Sequence, residues 1–346
     1  MEFPRLRNAR RPLLAGTALA ALAALAPGAL AVAPAGLPSP EKGLNLLVVG
    51  VDSRKGVTPE EKERFHLGGK GCDCTDVMML VHVSAAGDRV SVVSLPRDSL
   101  TSFPGGHVDR RTGKTHAAHR AKINGAWAEG GSAFTVSTVE AMTGLSVHRY
   151  LEIDFRRFMD TVDGVDGGVP VCTEQPLKDP STGIDLQPGT KRVTGGEALQ
   201  YVRSRKADGQ MDFGRIRKQQ KFVVNTLHRL HDGVLDDPRR LKALAATLRG
   251  TAAAERGIST WELLRLAVRL RDLPPERTEF ATVPVRGFHA PIEGVGSTVG
   301  WDEKGAGEVF RRLAEDRPLP AAAAVAPSEV PAATYRPATG SSLICP

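Results

Sequence analysis

The chain has 346 residues, 41% of them hydrophobic, which is enough apolar material to bury a core and excludes disorder throughout. Its 46 Lys and Arg against 39 Asp and Glu leave a net charge of +7, favouring an anionic partner. At 5%, aromatic residues are too sparse for the stacking rings of a single-stranded nucleic-acid binder, so nucleic acid is not an expected partner.

Arg5, Arg7, Arg10 and Arg11 precede an uncharged, Ala- and Leu-rich stretch. Residues 12–33 are long enough to cross a bilayer, and the flanking arginines favour a cytoplasmic N-terminus over residues 1–11. A retained signal-anchor is the expected reading, with a short linker over 34–43. A cleaved signal is the alternative, because Ala29-Leu30-Ala31 and Ala31-Val32-Ala33 both fit small-residue cleavage sites. The rest of the chain is then expected outside the cytoplasmic membrane. There, Cys72, Cys74, Cys172 and Cys345 allow three pairings. A bridge from Cys72 or Cys74 to Cys172 would close a loop of about 100 residues, whereas Cys72 to Cys74 would be cramped.

Apolar runs at Leu44 to Val51, Val77 to Val83 and Val90 to Leu95 read as buried strands, the last two joined by a turn at Ser84 to Asp88. Phe103 to Arg120 has no periodicity and reads as a mobile surface loop. Helices are expected over Phe134 to Met142, Asp154 to Val162, Gly196 to Tyr201, Phe213 to Leu230, Leu241 to Leu248, Trp261 to Leu270 and around Val309 to Leu313. Strands are expected at His148 to Ile153, Val169 to Cys172 and Phe280 to Val285. This mixture predicts one α/β domain over 44–317 with helices on both faces of a sheet. Residues 318–346 read as a Pro/Ala-rich disordered tail that Cys345 could pin.

Charged residues recur where strands end. Asp52, in Gly50-Val51-Asp52-Ser53-Arg54, follows the first strand, and Thr75-Asp76 precedes the second. Either aspartate alone reads as strand capping; together they are hard oxygen ligands suited to Mg²⁺, or Mn²⁺ in its place. Arg97 and Asp98 follow the third strand, and Lys122-Ile123-Asn124 opens a helix. Arg203 and Arg205 would diverge on a helix but share a face if extended. Asp212, Arg215 and Gln219, at i, i+3 and i+7, stack along one helix face. Each arginine singly reads as a solvated surface residue. As a set, two carboxylates for a metal with several cations for phosphate oxygens are what phosphoryl transfer requires.

These motifs, in order with Ala198-Leu199-Gln200-Tyr201-Val202-Arg203-Ser204-Arg205 and Asp212 to Gln220, resemble the LytR-CpsA-Psr family in its actinobacterial form, over about residues 44–230. The resemblance implies a three-layer α/β/α sandwich around a mixed sheet. It also implies a membrane-anchored phosphotransferase that moves a glycopolymer from a polyprenyl-pyrophosphate lipid to a muramic acid C6 hydroxyl of peptidoglycan, releasing polyprenyl phosphate. Carried over by motif, Asp52 and Asp76 would ligate Mg²⁺. Arg97, Lys122, Arg203, Arg205 and Arg215 would bind the pyrophosphate, with Asn124 and Gln219 assisting. Asp98 and Asp212 would orient these cations or help deprotonate the acceptor. Two positions depart from the pattern: Cys74 stands where many members have Arg, with Arg54 or the loop residues Arg110 and Arg111 as substitutes, and Lys218 stands where Arg is common. Alternatives are a pyrophosphatase on the same lipid, and a catalytically weakened receptor for anionic wall polymer. His116 and His119 at i, i+3 could share a metal but read as part of a solvated loop. Trp127, Trp261 and Trp301 read as core or groove residues.

Overall fold

The computed structural model describes residues 40–346 except 70, 72, 73, 166, 206–208, 232–236, 248–253 and 255. The anchor expected at 12–33 lies outside the described residues, and no helix among the described residues is long and apolar enough to cross a membrane. In chain order the strands are β1 (Leu44–Val51), β2 (Thr75–Val83), β3 (Val90–Ser94), β4 (Leu100–Phe103), β5 (His119–Lys122), β6 (Arg149–Ile153), β7 (Val169–Thr173), β8 (Leu177–Asp179), β9 (Ile184–Leu186), β10 (Gly189–Val193), β11 (Thr278–Thr282), β12 (Val285–Ile292), β13 (Gly296–Trp301) and β14 (Ala338–Thr339). The helices are α1 (Pro59–Arg64), α2 (Gly125–Thr143), α3 (Phe155–Asp163), α4 (Gly195–Arg203), α5 (Met211–His231), α6 (Pro238–Thr247), α7 (Thr260–Arg269) and α8 (Glu303–Ala314).

The main sheet has the order β14-β11-β3-β2-β1-β6. It is mixed: β1 pairs antiparallel with β2 and parallel with β6, and β3 pairs antiparallel with β2 and parallel with β11. Alternation along each strand sorts its side chains onto two faces. Leu47, Val49, Met78, Leu80 and Val93 pack with Val136 and Val139 of α2 and Val309, Phe310 and Leu313 of α8. Leu44, Met79, Val83, Val90 and Val92 pack on the other side with Val224 of α5 and Leu266 of α7. The result is the three-layer sandwich expected. Val162 of α3, Leu199 of α4 and Val169 and Val193 of the β7–β10 ribbon form a further cluster with Phe222 of α5.

Residues 318–346 are not a disordered tail. Leu319, Val325, Ala333, Tyr335 and Leu343 are buried, β14 extends the sheet beside β11, and Cys345 is bridged to Cys172. The composition hid this because the apolar anchors are spaced too far apart to show a period. Of the three pairings the sequence allows, the structure has the one that joins Cys172 to Cys345, and Cys74 is disulfide-bonded as well. The expected loop at Phe103 to Arg120 is bounded by the paired strands β4 and β5 and has its own bridge between Val108 and Thr115. Helix α2 starts nine residues before Phe134, its period masked by a kink at Gly131, where φ is 71°. The backbone conformation at Gly131 calls for glycine, and the Arg110 guanidinium lies 2.7 Å from where a Cβ would stand. Trp127 and Trp301 pack against the core as expected, but Trp261 is 56% exposed on α7.

Candidate active site

Strands β1 and β3 both end, and antiparallel β2 begins, at one edge of the sheet. Ligands of open α/β sheets bind beyond such carboxyl ends. At this edge the β1–β2 register slips: Gly50 faces Val77 and Val51 faces Thr75, so Asp76 has no partner residue. A bulge of this kind redirects a side chain out of the ladder. Asp52 follows β1, and its N–H donates to the Cys74 carbonyl (3.0 Å), which ties the two aspartate-bearing segments together.

Around this edge the charges form one connected network. An Arg97 NH donates to Asp76 Oδ1, and Arg97 Nε lies 3.7 Å from Asp98 and 3.6 Å from Asp212. Lys122 Nζ, at the end of β5, is 3.1 Å from Asp98. Asp212 and Arg215 pair one turn apart on α5 at 3.0 Å, and Arg215 is 3.6 Å from Asp76. Arg205 reaches Asp212 at 3.9 Å. Arg203, the last residue of α4, lies over the Phe155 ring at 5.3 Å and feels the charges of Asp52, Arg54, Asp76 and Arg205. Ser204 leaves the helix in an extended conformation and turns Arg205 toward the same centre. Helix α4 thus runs two residues past the expected end at Tyr201.

Burial alone would raise the Asp76 carboxyl, but Arg215 and Arg97 outweigh it and hold the group below the usual carboxylate range. Arg97 is shifted upward because Asp76, Asp212 and Asp98 overcome its burial. Arg203 and Arg215 shift the other way: burial outweighs the nearby carboxylates and pulls both downward, although a guanidinium stays charged at neutral pH. These are the cations with the most to gain from an incoming anion. Arg97 Nε, Arg215 Nε and Asp212 Oδ1 are also buried without a hydrogen-bond partner. With Arg54 and Asp52 paired to each other, Arg97, Lys122, Arg203, Arg205 and Arg215 exceed the carboxylates Asp76, Asp98 and Asp212 by two charges, as a pyrophosphate diester would require.

The donor set suits Mg²⁺. Asp52 and Asp76 supply hard carboxylate oxygens, and Mg²⁺ takes one or two such groups and completes its shell with water and phosphate.

Three sequence-derived site residues make scaffold contacts in this structure. Arg54 grips Asp52 (3.1 and 3.3 Å) and donates to the carbonyls of Leu67, Gly68 and Gly69 at 2.6 Å, so its guanidinium is spent on closing a loop. Gln219 donates to the Val202 carbonyl (3.1 Å), fastening α4 to α5. Asn124 acts through its main chain, donating to Arg97 O (3.2 Å) and accepting from Thr75 N–H (3.3 Å). Arg110 and Arg111 do not substitute at the site: the first lies 5.1 Å over Trp127 and the second pairs with Asp109. Sequence reasoning missed Asp179, fully buried, whose Oδ2 accepts the Arg205 N–H (2.8 Å) while Oδ1 accepts from Ser181. The Asp179-Pro180-Ser181 turn signature was the available signal.

Comparison with known proteins agrees with this frame. The model of the LytR_cpsA_psr family matches residues 29–313. The chain is 34% identical over 273 residues to a probable cell wall biosynthesis protein, LcpB, of Corynebacterium glutamicum, covering 78% of this chain and 61% of the relative. It is 30% identical over 180 residues to the polyisoprenyl-teichoic acid–peptidoglycan teichoic acid transferase TagU of Oceanobacillus iheyensis, covering 52% and 49%. The match therefore spans about half to three-fifths of the length of these curated relatives. Bacillus subtilis TagT superposes with a TM-score of 0.56 at 22% identity, covering 81% of this chain and 92% of that one. TagT bound to LIIa-WTA superposes at 0.54, also at 22% identity, covering 79% and 90%. On its ordered motifs, its sheet and the extent of the family match, the chain belongs to the LytR-CpsA-Psr family.

Proposed function

We propose that this protein transfers a glycopolymer from a polyprenyl-pyrophosphate carrier to the C6 hydroxyl of a muramic acid in peptidoglycan. The carrying observation is the cluster of Arg97, Lys122, Arg203, Arg205 and Arg215, whose positive charge exceeds that of its carboxylates, at the open edge of the sheet. Relatives named for cell wall biosynthesis and teichoic acid transfer support the reading.

In this reading the five cations bind the pyrophosphate, and Arg203 and Arg215 recover in that contact the charge stabilisation that burial costs them. Asp76 holds Arg97 and Arg215 in place; Asp98 does the same for Lys122. The acceptor oxygen forms a bond to the phosphorus nearer the glycan, the bridging P–O bond breaks, and polyprenyl phosphate leaves. Asp98 or Asp212 takes the hydroxyl proton. Asp52 and Asp76 would hold Mg²⁺, which adds charge neutralisation on the phosphate oxygens. Residues 12–33 would anchor the chain in the membrane that carries the lipid, with the catalytic domain outside.

The test incubates the full chain in detergent with a polyprenyl-pyrophosphate oligosaccharide, peptidoglycan oligomers and Mg²⁺, with products read by mass spectrometry. A Mg²⁺-dependent phosphodiester adduct is expected, reduced roughly 10²- to 10³-fold in Arg203→Ala, the loss typical of one transition-state donor. Polyprenyl phosphate released without an adduct would make the protein a pyrophosphatase instead, and binding without turnover a receptor.

A further inference from the structure

Outside that network, the chain brings together three imidazoles and a carboxylate from segments that local sequence does not connect. His107 and His116 belong to the loop between β4 and β5, His119 starts β5, and Glu129 lies on α2. The three rings form a triangle with centroids 5.4 to 5.9 Å apart. Ligating atoms of His116, His119 and Glu129 all fall within 4.8 Å of one another, and His107 Nε2 is 2.8 Å from Glu129 Oε2. The loop is organised around them: His107 and His116 are joined by a main-chain hydrogen bond (3.1 Å), and Glu129 O accepts from Arg110 N–H (2.7 Å).

The ring tautomers add a second observation. His107 Nδ1 lies 2.8 Å from Pro104 O, and His119 Nδ1 lies 3.0 Å from Ala117 O. A carbonyl only accepts, so each Nδ1 carries a proton, and each Nε2 is left to meet the carboxylate either through a second ring proton or through a lone pair directed at a shared cation. Both Nε2 atoms face the same carboxylate oxygen, Glu129 Oε2, at 2.8 and 3.5 Å. Lone pairs against a carboxylate need a cation between them. Supplying it as protons would place two imidazolium charges on one carboxylate oxygen, beside a third ring and with Arg111 already 3.9 Å from Glu129 Oε1. One divalent ion satisfies both rings in their neutral form. An imidazole whose outer N–H is held by a backbone carbonyl is also the usual arrangement of a metal-bound histidine.

We propose that His107, His116, His119 and Glu129 bind a structural transition-metal ion, Zn²⁺ by the nature of the donors, that clips the loop to β5 and α2. Three nitrogens and one carboxylate oxygen suit four-coordinate Zn²⁺. Its ligand atoms sit roughly 3.4 Å apart, so on binding His107 and Glu129 open slightly from 2.8 Å while His116, His119 and Glu129, now within 4.8 Å of one another, draw together. Buried Asp109, with Oδ2 3.5 Å from His116 Nε2, supports that ring from outside. Lys122 lies three residues beyond His119 on the same strand, so the ion stiffens the segment that presents this lysine.

The experiment uses the untagged full chain in detergent, demetallated and titrated with Co²⁺ and Zn²⁺. Expected are one tightly held equivalent per chain, the visible absorption of tetrahedral Co²⁺, and protection of Arg110, Arg111 and Lys114 from trypsin that chelation removes. His119→Ala and Glu129→Gln should each weaken binding at least about 100-fold, and Asp109→Asn about 10- to 100-fold. The proposal is overturned if the wild-type chain keeps no metal after desalting, or if both ligand variants bind Co²⁺ as the wild type does. It is overturned equally if nitrogen NMR finds the His107 ring doubly protonated at neutral pH with metal in excess.

Discussion

Replacing both Cys172 and Cys345 by serine should lower the melting temperature substantially while leaving the active site in place. The bridge joins residues 173 positions apart. On the chain-entropy model a loop of that size removes about 17 cal/mol/K from the unfolded chain, or about 5 kcal/mol at 25 °C. The folded unit covers 37–346. At about 2.1 cal/mol/K per residue its unfolding entropy is about 0.65 kcal/mol/K, so the expected fall in Tm is about 8 °C. Asn225 on α5 also holds this end of the chain, donating to Leu343 O (3.0 Å) and accepting from Cys345 N–H (2.9 Å). Asn225 lies 13 residues along α5 from Asp212, about 20 Å at the helical rise, so the turn that carries Asp212 and Arg215 should not move. Scanning calorimetry of the oxidised wild type against the double variant measures the shift, and turnover at 25 °C measures the site. A drop of less than about 2 °C would refute the loop-closure argument. A tenfold loss of turnover with the Tm preserved would show that the tail organises α5 as far as its first turn.

Asp76→Asn should raise the Mg²⁺ concentration needed for half-maximal transfer and weaken the hold on Arg97 and Arg215, which a Mg²⁺ titration of the transfer rate would reveal. An unchanged Mg²⁺ requirement would remove Asp76 from the metal site. The stability of the protein should fall in mild acid through His148. Its Nδ1 accepts the Asn45 N–H (2.9 Å), and burial, reinforced by Arg149, lowers its pKa below the ordinary value. Because the unfolded chain then takes up the proton first, this contribution is complete above about pH 6.5 and is lost as pH falls toward the folded value, with a slope of at most about 1.4 kcal/mol per pH unit. Thermal melts between pH 7.5 and 5.5 should show a smaller decline in His148→Gln than in the wild type.

Residues whose role depends on local repetition were legible from the chain itself. Leu44–Val51 declares a strand because both of its faces are covered, leaving a continuous apolar run, and the i, i+3 and i+7 spacing puts Asp212, Arg215 and Gln219 on one face of α5. The order of the charged motifs was equally readable and already pointed to phosphoryl chemistry. Which guanidinium faces the open edge was not readable. Arg54 and Arg203 look alike in one dimension, yet carbonyls 13 to 15 residues away engage the first at 2.6 Å, while the second rests on Phe155 and reaches only the His66 carbonyl, at 3.4 to 3.5 Å. The bulge that frees Asp76 exists only in the pairing of β1 with β2. The disulfide of the tail and the gathering of His107, His116 and His119 on Glu129 likewise depend on contacts between segments far apart in the chain or separated by a turn. Short-range periodicity reports which side of an element is buried. It carries no record of register, of bulges or of which distant segment closes over a given face, so the residue types of the candidate site were encoded locally while their geometry was decided by tertiary packing.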